Sequence, residues 1–385
     1  MRTIGKCIVF VGLTGLAACR GAGSRTEDKG SREETSRVPV RIEYAKNFSI
    51  REQGRHIRLL TIQNAGNRHA SAYRYALLDN EARTDSVPEG YEPLRVPMQR
   101  MVCMTTLQLA SFIALNATDC ISGITSTRHL FNERMQQQLR SGQTAQIGIE
   151  GNFDHETIIA IAPQLILISP SKRGGYDVLA ESGLPLMPHL GYQEPTPLGQ
   201  AEWIKLAGVL TGHEAEATAF FDSVATRYQH LAERVKALPE EEPRPTVMSG
   251  DMKGGHWYAT GGRSHLARIF RDAGARYFME DNEDAGGVNL DFETVYAQGS
   301  DAEFWRISNS FDGNFSYEAL AGQDSRFRDF RAFRERKVIY CNMALTPFYE
   351  SFPVRPDLLL SDFVAIFHPA LLPGYEPSYY SLMKK

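Results

Sequence analysis

The sequence contains few cysteines and lacks the common catalytic fingerprints. Five of its 385 residues are cysteine, and no two of them have the C-x-x-C spacing of a redox or zinc site. The chain has no G-x-S-x-G nucleophile elbow, no G-x-x-x-x-G-K-S/T phosphate loop, no G-x-G-x-x-G dinucleotide loop and no H-E-x-x-H zinc motif. The ten histidines are scattered. These absences argue against the common hydrolases, nucleotide-binding enzymes and zinc peptidases.

The first 18 residues have the pattern of a signal peptide. Arg2 and Lys6 precede a short apolar stretch that ends in Leu-Ala-Ala before Cys19. About 20 apolar residues are needed to span a bilayer, and no later run in the sequence reaches that length. The residues before Cys19 resemble a bacterial lipobox, which implies a lipid on its thiol. The alternative is an ordinary signal peptide that contains a cysteine by chance.

Residues 19–38 are predicted to be a flexible tether between the lipid and the folded part. The segment is rich in Gly, Ser, Thr and charged residues and holds almost nothing apolar. The formal net charge of the chain is −4, and it becomes −6 when Arg2 and Lys6 leave with the signal peptide. This acidic balance argues against nucleic acid as a partner. In the mature chain Cys103, Cys120 and Cys341 remain, either as buried thiols or with one disulfide between Cys103 and Cys120.

The rest of the chain is predicted to be α/β. Alternating apolar residues from Arg41 to Tyr75, with a turn at Glu52 to Gly54, predict a small N-terminal hairpin or sheet. Beyond it, short apolar strands alternate with helices, which is typical of parallel βαβ units. The predicted strands are Met101–Met104, Cys120–Ile124, Leu165–Ile168, Thr246–Ser249, Phe304–Ile307 and Val338–Tyr340. The predicted helices are Thr106–Leu115, Thr157–Ile161, Ala201–Leu210, Glu214–Leu238 and His265–Asp272.

Four segments resemble those of the ABC-transporter substrate-binding proteins for iron complexes and vitamin B12. Asn152–Leu167 is similar to the family pattern N-x-E-x-I-x-A-L-x-P-D-L-V-L, with Gln164 in place of the usual aspartate. Leu290–Ala297 resembles its counterpart in the other lobe, and Tyr258–Gly262 and Asp272–Ala275 also fit. The resemblance extends from about Pro97 to Leu382.

The resemblance implies two Rossmann-like lobes joined by a long rigid helix, with the ligand in the cleft between them. On this basis the predicted division is 1–18 signal peptide, 19–38 tether, 39–96 N-terminal β extension, 97–197 N-terminal lobe, 198–240 connecting helices and 241–385 C-terminal lobe. It also implies a monomer that binds a ferric siderophore, haem or corrinoid, needs no cofactor of its own and catalyses no reaction.

Candidate ligand-binding residues follow predicted strands, because ligands between α/β halves lie at the carboxyl ends of strands. Aromatic faces suit a macrocycle, and cationic side chains suit carboxylates or a catecholate. His129 and His256 are the candidate axial ligands to haem iron or cobalt. The full set is Thr105, Thr106, Arg128, His129, Ser169, Lys172, His256, Trp257, Tyr258, Tyr349 and Phe352.

The family resemblance also implies docking to an ABC permease dimer in the membrane. One glutamate on each lobe is expected to pair with arginines of the permease, and the matching positions are Glu156 and Glu293. The protein would then be a membrane-anchored lipoprotein whose folded part faces the periplasm or the cell exterior. Two alternatives stay open: a lipid-anchored enzyme on the same scaffold, and a binder of bare metal ions.

Overall fold

The structure is a computed structural model that describes residues 39–64, 71–125, 127–149, 151–170 and 176–384. The predicted signal peptide, the lipobox with Cys19, and the tether lie outside the described residues. Among the described residues no helix combines the length and apolar character needed to cross a membrane.

The N-terminal extension is a four-stranded sheet. The predicted hairpin is confirmed, and Gly54 in its turn has φ 67°, which favours glycine. The sheet order is β1-β2-β3-β4, antiparallel except for the parallel pair of β3 and β4. One face of the sheet joins the main core and the other is covered by the segment that precedes β4. Its strands are β1 (Phe48–Gln53), β2 (Ile57–Ile62), β3 (Tyr73–Leu78) and β4 (Glu92–Arg95).

The first lobe is a parallel five-stranded sheet with helices on both sides, as predicted. Its strand order is β11-β10-β5-β6-β7, and β8 and β9 form a separate hairpin. Strands and helices follow the chain as β5 (Met101–Cys103), α1 (Thr106–Ala114), β6 (Ile121–Ile124), α2 (Glu133–Ser141), β7 (Ala145–Gln146), β8 (Gly148–Ile149), β9 (Asn152–Phe153), α3 (His155–Ile161), β10 (Leu165–Ile168), α4 (Tyr176–Glu181) and β11 (Leu186–Pro188).

Three helices connect the lobes. They are α5 (Pro197–Ala201), α6 (Trp203–Thr211) and α7 (Glu214–Lys236). The predicted long helix is confirmed as α7, whose 23 residues give it a length of about 35 Å at 1.5 Å per residue. Its buried residues recur at helical spacing and include Phe221, Val224, Tyr228 and Leu231, so one stripe of the helix faces the core.

The second lobe repeats the architecture of the first. Its main sheet has the order β15-β12-β17-β18-β19 and is parallel except for β19, while β13, β14 and β16 form a small antiparallel sheet. Its elements are β12 (Thr246–Ser249), β13 (Asp251–Lys253), β14 (His256–Thr260), α8 (His265–Asp272), β15 (Arg276–Tyr277), β16 (Gly287–Leu290), α9 (Phe292–Gly299), β17 (Phe304–Asn309), α10 (Tyr317–Gln323), α11 (Arg331–Arg334), β18 (Val338–Asn342), α12 (Pro356–Phe367) and β19 (Ser381–Leu382).

The three cysteines of the described residues are buried free thiols. Burial raises the pKa of Cys103 and raises that of Cys120 to about 12, so both are neutral. The Cys120 thiol donates to the carbonyl of Ala117 at 2.9 Å. Of the two possibilities that the sequence left open, the structure therefore shows buried thiols and not a disulfide between Cys103 and Cys120.

Buried carboxylates attach the N-terminal extension to the connecting helices. Glu202, which is fully buried, accepts hydrogen bonds from the backbone N–H groups of Tyr44 at 2.7 Å and Ala45 at 2.9 Å, and from Lys205 Nζ at 2.9 Å. Glu194 accepts from the backbone N–H groups of Lys46 and Asn47 and from the indole of Trp203. Burial raises the pKa of Glu194, and these hydrogen bonds lower it, so they offset part of the rise.

A third buried carboxylate joins the two lobes directly. Glu350, in the loop after β18 of the second lobe, accepts hydrogen bonds from the N–H groups of Phe131 at 2.6 Å and Asn132 at 3.0 Å. Asn132 is the N-cap of α2 in the first lobe, and its side chain accepts from Met135 N at 3.0 Å. Only 5% of Glu350 is exposed, so this contact is shielded from water.

We predict that Glu202→Ala lowers the free energy of unfolding by about 3–5 kcal/mol, because it leaves the Lys205 ammonium and several backbone N–H groups buried without an acceptor. Urea unfolding measures this loss. Glu241→Ala, at an exposed acid, is the control and should change stability by less than about 0.5 kcal/mol. A Glu202→Ala protein as stable as the control would contradict the assigned role.

We also predict that Glu350→Ala loosens the junction between the lobes. Two N–H groups lose a charged acceptor, so the change should cost about 1.5–3 kcal/mol. Hydrogen exchange at residues 131–133 should accelerate, while exchange in β1–β4 should not change. Glu133→Ala, at an exposed acid in the first turn of α2, is the control. Unchanged exchange at 131–133 would show that the contact does not hold the lobes.

Candidate ligand-binding cleft

The carboxyl ends of the central strands of both lobes meet at the junction between the lobes. The loop after β6 contacts the loops after β17 and β18: His129 Nε2 lies 3.2 Å from Ser310 Oγ, and the Glu350 carboxylate binds the backbone at Phe131. Parallel strands place the loops at their carboxyl ends along one edge. The junction is therefore where the fold itself brings polar side chains from both lobes together.

Two of the predicted residues, His129 and Tyr349, lie side by side in this junction. Their ring centroids are 6.2 Å apart. Burial lowers the pKa of His129, and the neighbouring Arg128 charge lowers it further, so the imidazole is neutral at neutral pH. Its Nδ1 is buried and has no hydrogen-bond partner among the described residues. A neutral imidazole with a ring nitrogen to spare can accept a hydrogen bond or coordinate a metal centre.

Tyr258 lies close enough to influence Tyr349. Burial raises the pKa of Tyr349, and the phenol of Tyr258 contributes a further rise. Tyr258 is 45% exposed and packs over Gly287 of β16, where an added Cβ would collide with its ring. Lys253 Nζ lies 5.4 Å from the centroid of the Tyr258 ring. His129 and Tyr349 thus form an aromatic pair at the junction, and Tyr258 is an exposed aromatic side chain of the second lobe that acts on Tyr349 electrostatically.

Sequence reasoning missed Arg306 in β17. Its guanidinium lies over the Tyr380 ring at 4.9 Å and donates to the Tyr380 hydroxyl, while its Nε is buried without a hydrogen-bond partner. Among the described residues no carboxylate pairs with it. The Tyr380 ring that it covers packs on Phe348, which packs in turn on Tyr349, so a chain of ring contacts links Arg306 to Tyr349. An arginine inside the apolar run from Phe304 to Ile307 was the available signal, since arginine is mostly exposed in proteins, whereas here it is half-buried.

Thr105 and Ser169 lie at a different part of the junction. They line a cavity of about 20 Å³ together with Pro353 and Val354 from the second lobe. That volume holds little more than one water molecule. Thr106, the first residue of α1, is half-buried, and Phe352 is buried in a stack with Phe348 at 4.4 Å and with His265 at 6.1 Å. This side of the junction is closed by packing.

The prediction that Trp257 presents its face to a ligand is corrected by the structure. Trp257 is fully buried, its indole N–H donates to the Ser249 carbonyl at 3.0 Å, and its ring stacks on Trp305 at 5.5 Å. It is a core residue of the second lobe. His256, the residue before Trp257, is exposed. Arg128 in the first lobe is also exposed, and Lys172 lies outside the described residues.

Glu156 and Glu293 occupy equivalent positions in the two lobes. Each stands in the first turn of a helix that follows an aspartate N-cap, in α3 and α9. Asp154 accepts from the N–H and hydroxyl of Thr157 at 2.9 and 2.7 Å, and Asp291 accepts from those of Thr294 at 2.7 and 2.8 Å. Both glutamates are exposed, and among the described residues an ion pair is recorded for Glu293, with Arg326 at 3.8 Å, but not for Glu156.

No three His, Cys, Asp or Glu residues of the described ranges lie together in an arrangement that could hold a metal ion. His129 and His256, the two predicted axial ligands, therefore belong to no preformed cluster of such residues.

Comparison with known proteins identifies related sequences and folds. An uncharacterized lipoprotein of Methanocaldococcus jannaschii is 22% identical over 310 residues, which cover 77% of this chain and 71% of the relative. A periplasmic haem-binding protein from Pseudomonas aeruginosa has a TM-score of 0.58 at 20% identity, covering 74% of this chain and 98% of that one. An ABC-type Fe³⁺-hydroxamate transport protein from Saccharomonospora viridis has a TM-score of 0.54 at 18% identity, covering 71% and 94%.

The structural matches establish the fold with two α/β lobes that the sequence predicted. In addition, the family model described as periplasmic binding protein matches residues 101–345, from the first strand of the first lobe to the loop after β18. Because this match covers more than half of the sequence, the chain belongs to the periplasmic binding protein family.

Proposed function

We propose that this protein is the substrate-binding lipoprotein of an ABC importer and captures an iron complex (a siderophore or haem) or a corrinoid. The observation that carries the proposal is the pair formed by His129 and Tyr349 where the two lobes meet, with Arg306 linked to Tyr349 through the rings of Tyr380 and Phe348 and with Tyr258 exposed on the second lobe. Aromatic faces can pack on a flat ligand, and a guanidinium can bind its carboxylates or other anionic oxygens. Similar folds named for haem and for ferric hydroxamate support this ligand class.

The protein is proposed to act as a monomer that is anchored through Cys19 and faces the periplasm or the cell exterior. The relative named as a lipoprotein supports the anchor. Binding without catalysis is proposed, because the proteins of similar fold are solute-binding proteins. His129 Nε2 lies 3.2 Å from Ser310 Oγ, but among the described residues no third group binds the other ring nitrogen of His129 and orients it as a catalytic base requires.

We predict that at least one of three ligand classes raises the melting temperature of the purified protein. The probes are haem, a ferric siderophore and cyanocobalamin, each at a concentration well above micromolar. A dissociation constant of about 1 μM or tighter is expected, because about −8 kcal/mol is within reach of such a site. Absence of stabilisation by all three would contradict the proposed ligand class.

The same titration with variants tests the site. His129→Ala and Tyr349→Ala should each weaken binding by about tenfold or more, equivalent to about 1.4 kcal/mol. His230→Ala, at an exposed histidine of α7, is the control and should bind as the unchanged protein does. Normal ligand affinity in both cleft variants, measured on folded protein, would move the site elsewhere.

Delivery to a permease is proposed to use Glu156 and Glu293. The same Asp-x-Glu-Thr sequence opens one helix in each lobe with the same capping hydrogen bonds, and a two-fold permease would present two equivalent pockets. One helical turn after each glutamate stands an exposed apolar side chain, Ile159 at 54% and Tyr296 at 40% exposure. An exposed acid beside an exposed apolar side chain is typical of a protein contact, with the charge steering association and the apolar group supplying affinity.

We predict that Glu156→Arg combined with Glu293→Arg abolishes transport and leaves ligand binding intact, because two attractive charge pairs become repulsive. Uptake of labelled ligand into proteoliposomes that contain the permease measures transport. Glu133→Arg with Glu318→Arg is the matched control, since both are exposed first-turn glutamates of other helices. Normal transport by the folded double variant would contradict the docking assignment, and lost ligand binding would place these glutamates in the cleft or the fold.

A further inference from the structure

A second cavity lies at the end of the second lobe opposite the cleft. Its volume is about 530 Å³, within the range of about 300–1,000 Å³ that small-molecule sites occupy. It is bounded by α5, by the carboxyl-terminal half of α7, by α8 and by the segment before β12. The cavity lies at the amino ends of β12 and β15, because α8 and the segment before β12 border it. The junction between the lobes lies at the carboxyl ends of the strands, so the cavity and the junction are separate.

One wall of this cavity comes from the N-terminal extension. Tyr44 lines it, and its hydroxyl accepts a hydrogen bond from Gln229 Nε2 of α7 at 2.6 Å. The Tyr44 ring packs on Phe221 at 5.6 Å, and its backbone N–H is held by the buried Glu202 carboxylate. Tyr44 lies outside the family match of residues 101–345. The extension therefore adds this wall to a two-lobed scaffold and fixes it in place with a buried charge.

The cavity carries an excess of positive charge. Four cationic side chains line it, against the two carboxylates Glu233 and Asp272. Asp272 is already bound by Arg268 Nε at 2.8 Å and by the Tyr228 hydroxyl at 2.7 Å. Lys236 lies 3.9 Å from Glu233, and both are well exposed. The remaining cations of the lining are Arg244 and Arg271.

Two of these cations have donors to spare. The Arg271 side chain has no hydrogen-bond or ion-pair partner among the described residues, and Arg244 has only a 3.5 Å contact from Nη1 to the Val235 carbonyl. Lys236 and Arg271 stand in the last turns of α7 and α8, where they complement the helix dipoles. That explanation does not apply to Arg244, which lies in the loop before β12, or to Arg268, which lies inside α8.

We propose that this cavity binds an amphipathic anion, a phosphate or carboxylate head group attached to an apolar body. The head group would lie among Arg244, Arg271 and Lys236, because guanidinium groups bind such oxyanions with paired hydrogen bonds. The apolar body would pack along the aliphatic and aromatic lining that Leu198, Ala232 and Tyr44 provide. The head group chemistry is shared by soluble organic phosphates and by anionic lipids.

Isothermal titration of the full chain carrying Cys19→Ala, which removes the anchor, tests the proposal with three probes. Octyl phosphate combines charge and apolar body, inorganic phosphate carries the charge alone, and octyl glucoside carries the apolar body alone. Octyl phosphate is expected to bind at least tenfold more tightly than either of the other two. Failure of octyl phosphate to bind at millimolar concentration would overturn the proposal.

Variants assign the binding to this cavity. Arg271→Glu with Lys236→Glu should abolish octyl phosphate binding, and Tyr44→Ala should weaken it. Arg140→Glu, at an exposed arginine of the first lobe, should have no effect. Binding that persists in the Arg271→Glu, Lys236→Glu protein with its far-UV circular dichroism unchanged would overturn the assignment.

Vesicle binding distinguishes the two sources of the head group. Cosedimentation with phosphatidylcholine vesicles that contain phosphatidylglycerol, competed by octyl phosphate and absent with phosphatidylcholine alone, would identify a lipid head group. Octyl phosphate binding without vesicle binding would identify a soluble organic anion. Both results support the site, and vesicle binding that octyl phosphate does not compete would place the lipid contact on another surface.

Discussion

The arrangement of this molecule depends on buried carboxylates that accept hydrogen bonds from backbone N–H groups far away in the sequence. Glu202 and Glu194 hold the segment after the tether against the connecting helices, Glu350 holds the first lobe against the second, and Asp362 holds the C-terminal segment through the N–H groups of Tyr379 and Tyr380. Such a charge is expensive to bury and is tolerated only when its hydrogen bonds are satisfied. Each carboxylate therefore permits essentially one placement of the segment that it binds.

This constraint explains why the N-terminal extension behaves as part of the body of the protein. Apolar packing alone would allow a small four-stranded sheet to slide on its partner, because such packing is not directional. The carboxylate hydrogen bonds are directional, and the buried Arg58 adds a further link by pairing with Glu52 inside the sheet and with Glu214 at the start of α7. The Tyr75 hydroxyl also donates to the Leu186 carbonyl of the first lobe at 2.6 Å. The extension thus bridges the first lobe and the connecting helices.

The strand and helix alternation could be predicted from the sequence because it depends on local patterns, and most predicted elements were confirmed within a few residues.

The small sheet of β13, β14 and β16 could not be predicted from the sequence, because its strands are short and because α8 and β15 separate two of them along the chain. Its absence from the prediction caused the error at Trp257. In a strand, neighbouring side chains point to opposite faces, so Trp257 lies inside and Tyr258 outside. His129 and Tyr349 could be proposed from the sequence because both follow strands. Arg306 lies within a strand, and its partners come from distant elements.

The two candidate binding regions differ in how firmly their walls are joined. The cavity beside Tyr44 is built from the extension, α5, α7 and α8, and the Glu202 and Gln229 contacts fix Tyr44 to the connecting helices. The cleft is crossed at Glu350 and at the contact between His129 and Ser310, which lie on loops from opposite lobes. The Arg58 ion pairs join the extension to α7, and the Tyr75 hydroxyl joins it to the first lobe, so a change in lobe orientation would move the second lobe against that combined body. Such a change would first separate the loop contacts of Glu350 and His129, whereas the packing of α1 against residues 352–354 and of α7 along α12 inside the second lobe's core would resist it.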